Sequence, residues 1–144
     1  MLFRSMKFVM RLFLAIHVGL CRLAGGRIGA RFMGGDVLIL TTVGRRTGKR
    51  RSVPLMYLHD GDRYVIVASN GGSATHPGWF HNATAAGEAS IEVGTQRLHV
   101  RARQADEAER AALWPRLVAI YRGYADYQAK TRREIPLGIL DPTA

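Results

Sequence analysis

The alternation of apolar and polar positions after residue 36 predicts a small, mainly antiparallel β domain. Residues 37–43 read as a strand, and the unbroken run Leu38-Ile39-Leu40 predicts cover on both of its faces. A second strand is expected over 52–59. Asp60-Gly61 then predicts a hairpin turn, because that dipeptide tolerates positive φ, and a third strand follows at 64–68. Residues 71–77 read as a loop and 79–86 as a short helix ending near Gly87. A further hairpin joins 90–93 to 97–103 across Gly94-Thr95. Asp106 with Glu109 three residues on is a capping-box start for a helix, which Pro115 is expected to kink or break. A second helical piece is expected over 117–127, and 135–140 reads as a last strand or extended tail. Short antiparallel strands with few helices predict a small barrel, whose closure removes exposed edges. No helix separates the first three strands, which disfavours a parallel α/β fold.

Ahead of this domain the period changes. Placed on a helix, Arg4, Lys7, Arg11 and Arg22 fall within roughly 60° of one another, while Leu2, Met6, Val9, Phe13, Ile16 and Leu20 gather opposite. That is the pattern of an amphipathic helix on an anionic membrane surface. A spanning helix is disfavoured, since the apolar run between Arg11 and Arg22 is half the roughly 20 residues a bilayer needs. Packing on its own domain and an export signal are the competing readings, the latter weakened by His17 and the lack of a clean A-x-A site. The expected organisation is therefore residues 1–35, a helix with a glycine-rich joint (Gly25, Gly26, Gly29, Gly34, Gly35), and residues 36–144, the barrel domain.

Charge sharpens this division. The chain's net +10 resides in its first 51 residues, which hold eleven Lys/Arg against Asp36, whereas the remainder holds ten of each sign. Part belongs to the N-terminal segment and part to Gly44-Arg45-Arg46-Thr47-Gly48-Lys49-Arg50-Arg51, between two predicted strands. Guanidinium forks and the backbone amides of a glycine-containing turn suit a phosphate or polyglutamate tail. A solvated loop or a nucleic-acid contact would use the same charges, although neither interleaved aromatics nor a helix-turn-helix or zinc-finger spacing accompanies them. At 144 residues and 47% apolar the chain makes one folded domain. Cys21 is its one cysteine, so no internal disulfide forms, and the five histidines lack metal-ligand spacing, so no metal is expected.

Two further clusters can carry chemistry. Ser69-Asn70-Gly71-Gly72-Ser73 follows a strand directly, where such a turn presents a hydroxyl and backbone amides to a ligand, or is simply a turn. Tyr121, Tyr124 and Tyr127 recur every three residues and span roughly 120° of a helix, as a phenol wall or as core packing. No nucleophile elbow, attacking Cys/His pair or carboxylate dyad is present, so hydrolysis is poorly supported. Arginines, amides, one serine and tyrosines suit the holding of a reactive cofactor.

These residues in order resemble a known family. Leu40-Thr41-Thr42-Val43-Gly44-Arg45-Arg46-Thr47-Gly48, Arg51, Pro54-Leu55, Val67-Ala68-Ser69-Asn70-Gly71-Gly72, His76-Pro77-Gly78-Trp79-Phe80-His81-Asn82, Trp114-Pro115 and the tyrosine triplet are similar to the deazaflavin-dependent nitroreductases, over about residues 37–142. The resemblance implies an α+β, FMN-binding-type split β-barrel with C-terminal helices, using coenzyme F420 as hydride donor. Members occur in actinobacteria, some reduce quinones, nitroaromatics or unsaturated lactones, and several associate with the membrane through an N-terminal helix. By carry-over, Arg45, Arg46, Thr47 and Arg51 would hold the phosphate and glutamate tail. Ser52, Val53, Pro54, Leu55 and Met56, with Val67, Ala68, Ser69 and Asn70, would line the deazaflavin ring and ribityl chain. Gly78, Trp79, Phe80, His81 and Asn82 would close over it. Tyr124 would touch it from the helix, and Ser69 with Tyr121, Tyr124 and Tyr127 would flank the substrate. The family's nitroimidazole-activating member has tyrosine where Met56 stands and lysine where Asn70 stands, which counts against nitro-prodrug activation here. The expected partners are a small acceptor such as a quinone and an anionic membrane surface on the cytoplasmic side, without nucleic acid. A non-catalytic flavin- or haem-binding barrel and a basic nucleic-acid module are the alternatives.

Overall fold

The computed structural model describes residues 31–32 and 35–143. The expected N-terminal helix and most of its glycine joint lie outside them. Eight antiparallel strands and three helices follow one another as β1 (Arg31–Phe32), β2 (Gly35–Val43), β3 (Arg50–Met56), β4 (Leu58–Asp60), β5 (Arg63–Val67), α1 (Gly78–Ala86), β6 (Glu88–Val93), β7 (Gln96–Gln104), α2 (Glu107–Ile120), α3 (Gly123–Lys130) and β8 (Leu137–Pro142). A 3-10 turn at Asn70–Gly72 sits between β5 and α1.

The sheet runs β2-β6-β7-β8-β5-β4, with β3 on the other side of β2 and β1 beside its start. Only Tyr57 separates β3 from β4, and its N–H still donates to Asp36 O at 3.0 Å. The chain, not a hydrogen-bond ladder, links the β4 edge back to β2 through β3, so the curled sheet is a barrel split where β3 turns from β2 toward β5. This corrects the single strand expected over 52–59. The chain changes pairing partner at Tyr57, which no local residue preference announces. Arg50 and Arg51 also belong to β3, opposite Val43 and Thr42, so the loop is shorter than the basic run.

Strand alternation sorts the core into two layers. Leu38, Leu40, Tyr64, Ile66, Ala89, Ile91, Val100, Ala102 and Leu140 fill the barrel with Ala83 of α1. Val65, Val67, Leu137 and Ile139 point outward and are covered by Leu113 and Leu117 of α2, Tyr124 of α3 and Ile135. As predicted, Leu38, Ile39 and Leu40 are all buried. The turn at Gly61 (φ 60), the cap at Gly87 (φ 72) and the Asp106–Glu109 capping box also form as expected.

The helical expectation for 106–127 is corrected. Pro115 lies inside α2 without ending it. It removes the partner of the Ala111 carbonyl, but both residues are exposed, where water can reach that carbonyl, and Leu113 and Leu117 keep their packing. The break falls instead at Tyr121, which is extended (φ -145, ψ 105). Its ring folds back over Gly123, where any Cβ would collide with it.

Candidate active site

β3 runs from the basic turn at its start to Met56, which joins the outer layer. At its N-terminal end Gly44 N–H donates to Lys49 O at 2.8 Å, Gly48 N–H donates to Gly44 O at 2.8 Å, and Gly48 takes φ 69 to close the turn. The turn is docked from α1. The buried Asn82 accepts from Arg45 N–H through Oδ1 at 3.1 Å, which leaves Arg45, Arg46, Thr47, Lys49, Arg50 and Arg51 exposed around it. Guanidiniums with no acidic partner among the described residues, set around a fixed turn, form an anion-attracting end.

From this end β3 runs roughly 20 Å, seven residues at about 3.3 Å each. Ser52, Val53, Pro54, Leu55 and Met56 are all half-buried, neither core nor free surface. Their side chains divide between faces. Val53 and Leu55 pack toward the barrel interior, so only their backbone lines the outer strip, whereas Met56 joins the outer layer beside Tyr121 and Tyr127. Ser52 bonds Thr41 through the two hydroxyls at 2.7 Å. Alternation sets Arg50 with Ser52, Pro54 and Met56, and Arg51 with Val53 and Leu55.

In the layer that Met56 joins the three tyrosines meet, although not as a stripe on one helix. Tyr121 caps α2 and reaches across to α3, with its ring 5.1 Å from Tyr124 and 6.1 Å from Tyr127. The Tyr121 and Tyr127 hydroxyls are 3.2 Å apart. That hydrogen bond, with partial burial, raises the Tyr121 pKa, so Tyr121 keeps its proton at neutral pH. Tyr124 is buried, and burial drives its hydroxyl still further up.

The Ser69 turn packs on α3. Gly72, with φ 80, lies so close that a Cβ there would come 2.8 Å from Tyr127 O. Asn70 is left-handed (φ 47), and its side-chain amide donates to Thr75 O at 3.1 Å. Val67 and Ala68 are buried beneath this turn, and Ser69 is half-buried. Of the α1 residues, Gly78 is exposed, Trp79 and His81 are half-buried, and Phe80 is buried beside His76, ring centroids 5.2 Å apart.

Sequence reasoning missed Arg133. Its side chain bonds the backbone of the Ser69 turn and the His76 ring, linking the α3–β8 connection to the site. Nothing in Thr131-Arg132-Arg133-Glu134 distinguishes it from its neighbour, and the role exists only in the folded contacts.

The described residues offer the donor set of a site for an elongated cofactor: cations at the start of β3, phenols in the layer that Met56 joins, a serine turn packed on α3, and no nucleophile–base pair among them. Among these residues, too, no helix is long and apolar enough to cross a membrane. Comparisons with known proteins agree with the geometry. An F420-H2 dependent reductase of known structure superposes with a TM-score of 0.67 at 39% identity, covering 73% of this chain and 93% of that one. A pyridoxamine 5'-phosphate oxidase-like protein from Listeria innocua shares the fold at a TM-score of 0.54 and 13% identity, over 75% and 84% of the two chains. An F420H(2)-dependent quinone reductase of Mycobacterium tuberculosis is 39% identical over 131 residues, 88% of each chain. With the profile of that family matching residues 13–142, the chain belongs to the F420H(2)-dependent quinone reductases.

Proposed function

We infer that the chain is an oxidoreductase that uses reduced F420 to reduce a quinone. The observation that carries this is the cluster of exposed guanidiniums at the start of β3, whose last residue, Met56, packs on the same outer layer as Tyr121 and Tyr127. When bound, reduced F420 supplies a hydride from its deazaflavin C5. Arg45, Arg46, Thr47 and Arg51 hold the anionic tail, and the outer strip of Ser52, Pro54 and Met56, with Val67–Asn70 and Tyr124, shapes the place of the ring. Gly78, Trp79, Phe80, His81 and Asn82 form the side that closes over it. The Ser69 hydroxyl, which makes no hydrogen bond to a described residue, donates to the acceptor oxygen as negative charge develops there. Tyr121 and Tyr127, hydrogen-bonded to each other, deliver the balancing proton.

Titration of the ligand-free protein with F420, followed by turnover with a soluble quinone, tests this reading. A saturable response and quinone reduction are expected, and a folded protein that ignores the coenzyme sinks it. Ser69→Ala is expected to lower turnover by about 10²–10³ while coenzyme affinity holds. Unchanged turnover removes Ser69 from the chemistry. Nitroaromatics and activated enones present similarly electron-poor carbons and belong in the same screen.

The finer reading is a lipid-soluble acceptor such as menaquinone, met at a membrane by residues 1–31. Its support is the segregation of Arg4, Lys7, Arg11 and Arg22 from the apolar positions. Removing residues 1–26 should release the protein from anionic vesicles and leave reduction of a soluble quinone intact. Undiminished vesicle binding would count against it.

A further inference from the structure

Arg133 makes an unusually complete set of bonds. Its Nε–H donates to Ser73 O at 2.9 Å, Nη2 donates to Ser69 O at 2.7 Å and Ala68 O at 3.3 Å, and Nη1 donates to Ala68 O at 3.3 Å. The remaining Nη1 contact is to His76 Nδ1 at 2.7 Å. A guanidinium has five N–H donors in a rigid fork, and here all five are engaged on one segment. The arginine is itself fixed from α3, where Gln128 Nε2 donates to Arg133 O at 2.8 Å and Gln128 Oε1 accepts from Ile135 N–H at 2.9 Å. The turn so gripped needs such a hold. Asn70, Gly71 and Gly72 all take positive φ, and only two short backbone bonds close it, Gly72 N–H to Ser69 O at 2.9 Å and Ser73 N–H to Asn70 O at 3.2 Å.

We propose that Arg133 is the positioning residue of the site, its fork locking residues 68–76 so that the Ser69 hydroxyl is presented in one orientation, with His76 as a proton-sensitive member of the lock. The Ser69 role rests on the function proposed above; the lock itself does not. A guanidinium cannot accept a hydrogen bond, so the contact with His76 requires an unprotonated Nδ1 and places the ring proton on Nε2. Protonating Nδ1 breaks the bond and sets two cations together. His76 is faced by Arg133 from the α3–β8 connection and by His81 of α1, ring centroids 5.6 Å apart, and both oppose a second positive charge. Burial first, then these two neighbours, hold the His76 pKa below the ordinary histidine value. The lock is therefore intact above about pH 6.5 and loosens as pH falls through the lowered value.

Amide hydrogen exchange on the full, ligand-free chain tests this without coenzyme. In Arg133→Lys, which keeps the charge and loses the fork, exchange across 69–76 should rise about tenfold or more while β5 and β8 peptides are unchanged. An unaltered turn, or a uniform rise across the barrel with a lowered unfolding midpoint, overturns the proposal. In the wild type the same segment, corrected for intrinsic exchange rates, should loosen as pH falls below about 6.5, and in His76→Asn, which keeps an acceptor but does not titrate, that dependence should vanish. Dependence that persists in the variant overturns the role given to His76. With coenzyme, Arg133→Lys should lower kcat by about tenfold or more, a larger factor than its loss of F420 affinity, because the tail is held by the separate turn of Arg45 to Arg51. A wild type that binds no F420 defeats the functional reading alone, since the exchange results still decide the lock.

Discussion

The two hydrophobic layers of this protein are equally well buried and differ in what surrounds them. The barrel interior is lined by the curled sheet, and its buried cluster is apolar apart from Tyr64, with the buried Thr42 hydroxyl on the same face of β2 as Leu38 and Leu40. The outer layer uses the opposite faces of β5 and β8, but helices close it, and its rim consists of Met56, Trp114, Tyr121 and Tyr127, all part-buried. Met56 and the three tyrosines belong to this second layer, whereas the arginine turn is docked by Asn82 of α1. A packed apolar interior leaves a reacting molecule no room, whereas a sheet face partly roofed by two helices leaves an edge where hydroxyls stay half-wet. Rigidity comes from the first layer and chemistry from the second.

The sharpest way to break that distinction is to injure each layer once. Leu40→Ala removes a fully buried side chain from the interior and should cost about 2–5 kcal/mol, read as a lowered denaturant midpoint with an unchanged slope. Tyr127→Phe deletes one oxygen, and the lost 3.2 Å phenol contact should cost only about 0.5–1.5 kcal/mol while turnover falls more steeply than stability. Equal destabilisation by the two changes would mean that the outer layer is as structural as the inner one.

The same contrast explains which features were legible in the sequence. Gly61, Gly87, Gly94 and the Asp106–Glu109 box were readable because the residue that needs the geometry also creates it. The buried Leu38-Ile39-Leu40 run and the strand alternation were readable for a related reason, since the period is local even when the partner is not. The switch at Tyr57 was hidden because it depends on which strand lies alongside. Pro115 misled because its cost depends on whether Ala111 faces water, and the true break at Tyr121 depends on a ring folding over Gly123. The site followed suit. Motif order located the arginine turn, the serine turn and the tyrosines, although the tyrosines converge from two helices and not along one. Arg133 was invisible, because an arginine that binds carbonyls looks in sequence like any solvated arginine.

A smaller effect sharpens the comparison where the layers are joined. Glu109 Oε1 accepts from Arg103 Nη1 at 2.7 Å and Asp106 N–H at 3.0 Å, and Oε2 accepts from Arg63 Nη1 and Arg103 Nη2, both at 2.8 Å. One carboxylate thus ties the start of α2 to β5 and β7. The Arg103 bonds first, then the Asp106 amide, hold its pKa far below the ordinary glutamate value. Because the folded pKa is depressed, this stabilisation is complete above the unfolded value of about 4.3 and is lost as pH falls below it. Glu109→Gln keeps the shape but offers one accepting oxygen and turns an amide toward a guanidinium. It should cost about 1–2 kcal/mol at pH 7, with the gap from wild type narrowing in unfolding curves taken near pH 3. The Leu40→Ala gap should stay constant over the same range, since no proton is linked to a cavity. A Glu109→Gln deficit that persisted at low pH would mean that the side chain's packing, and not its charge, fastens the helices to the barrel.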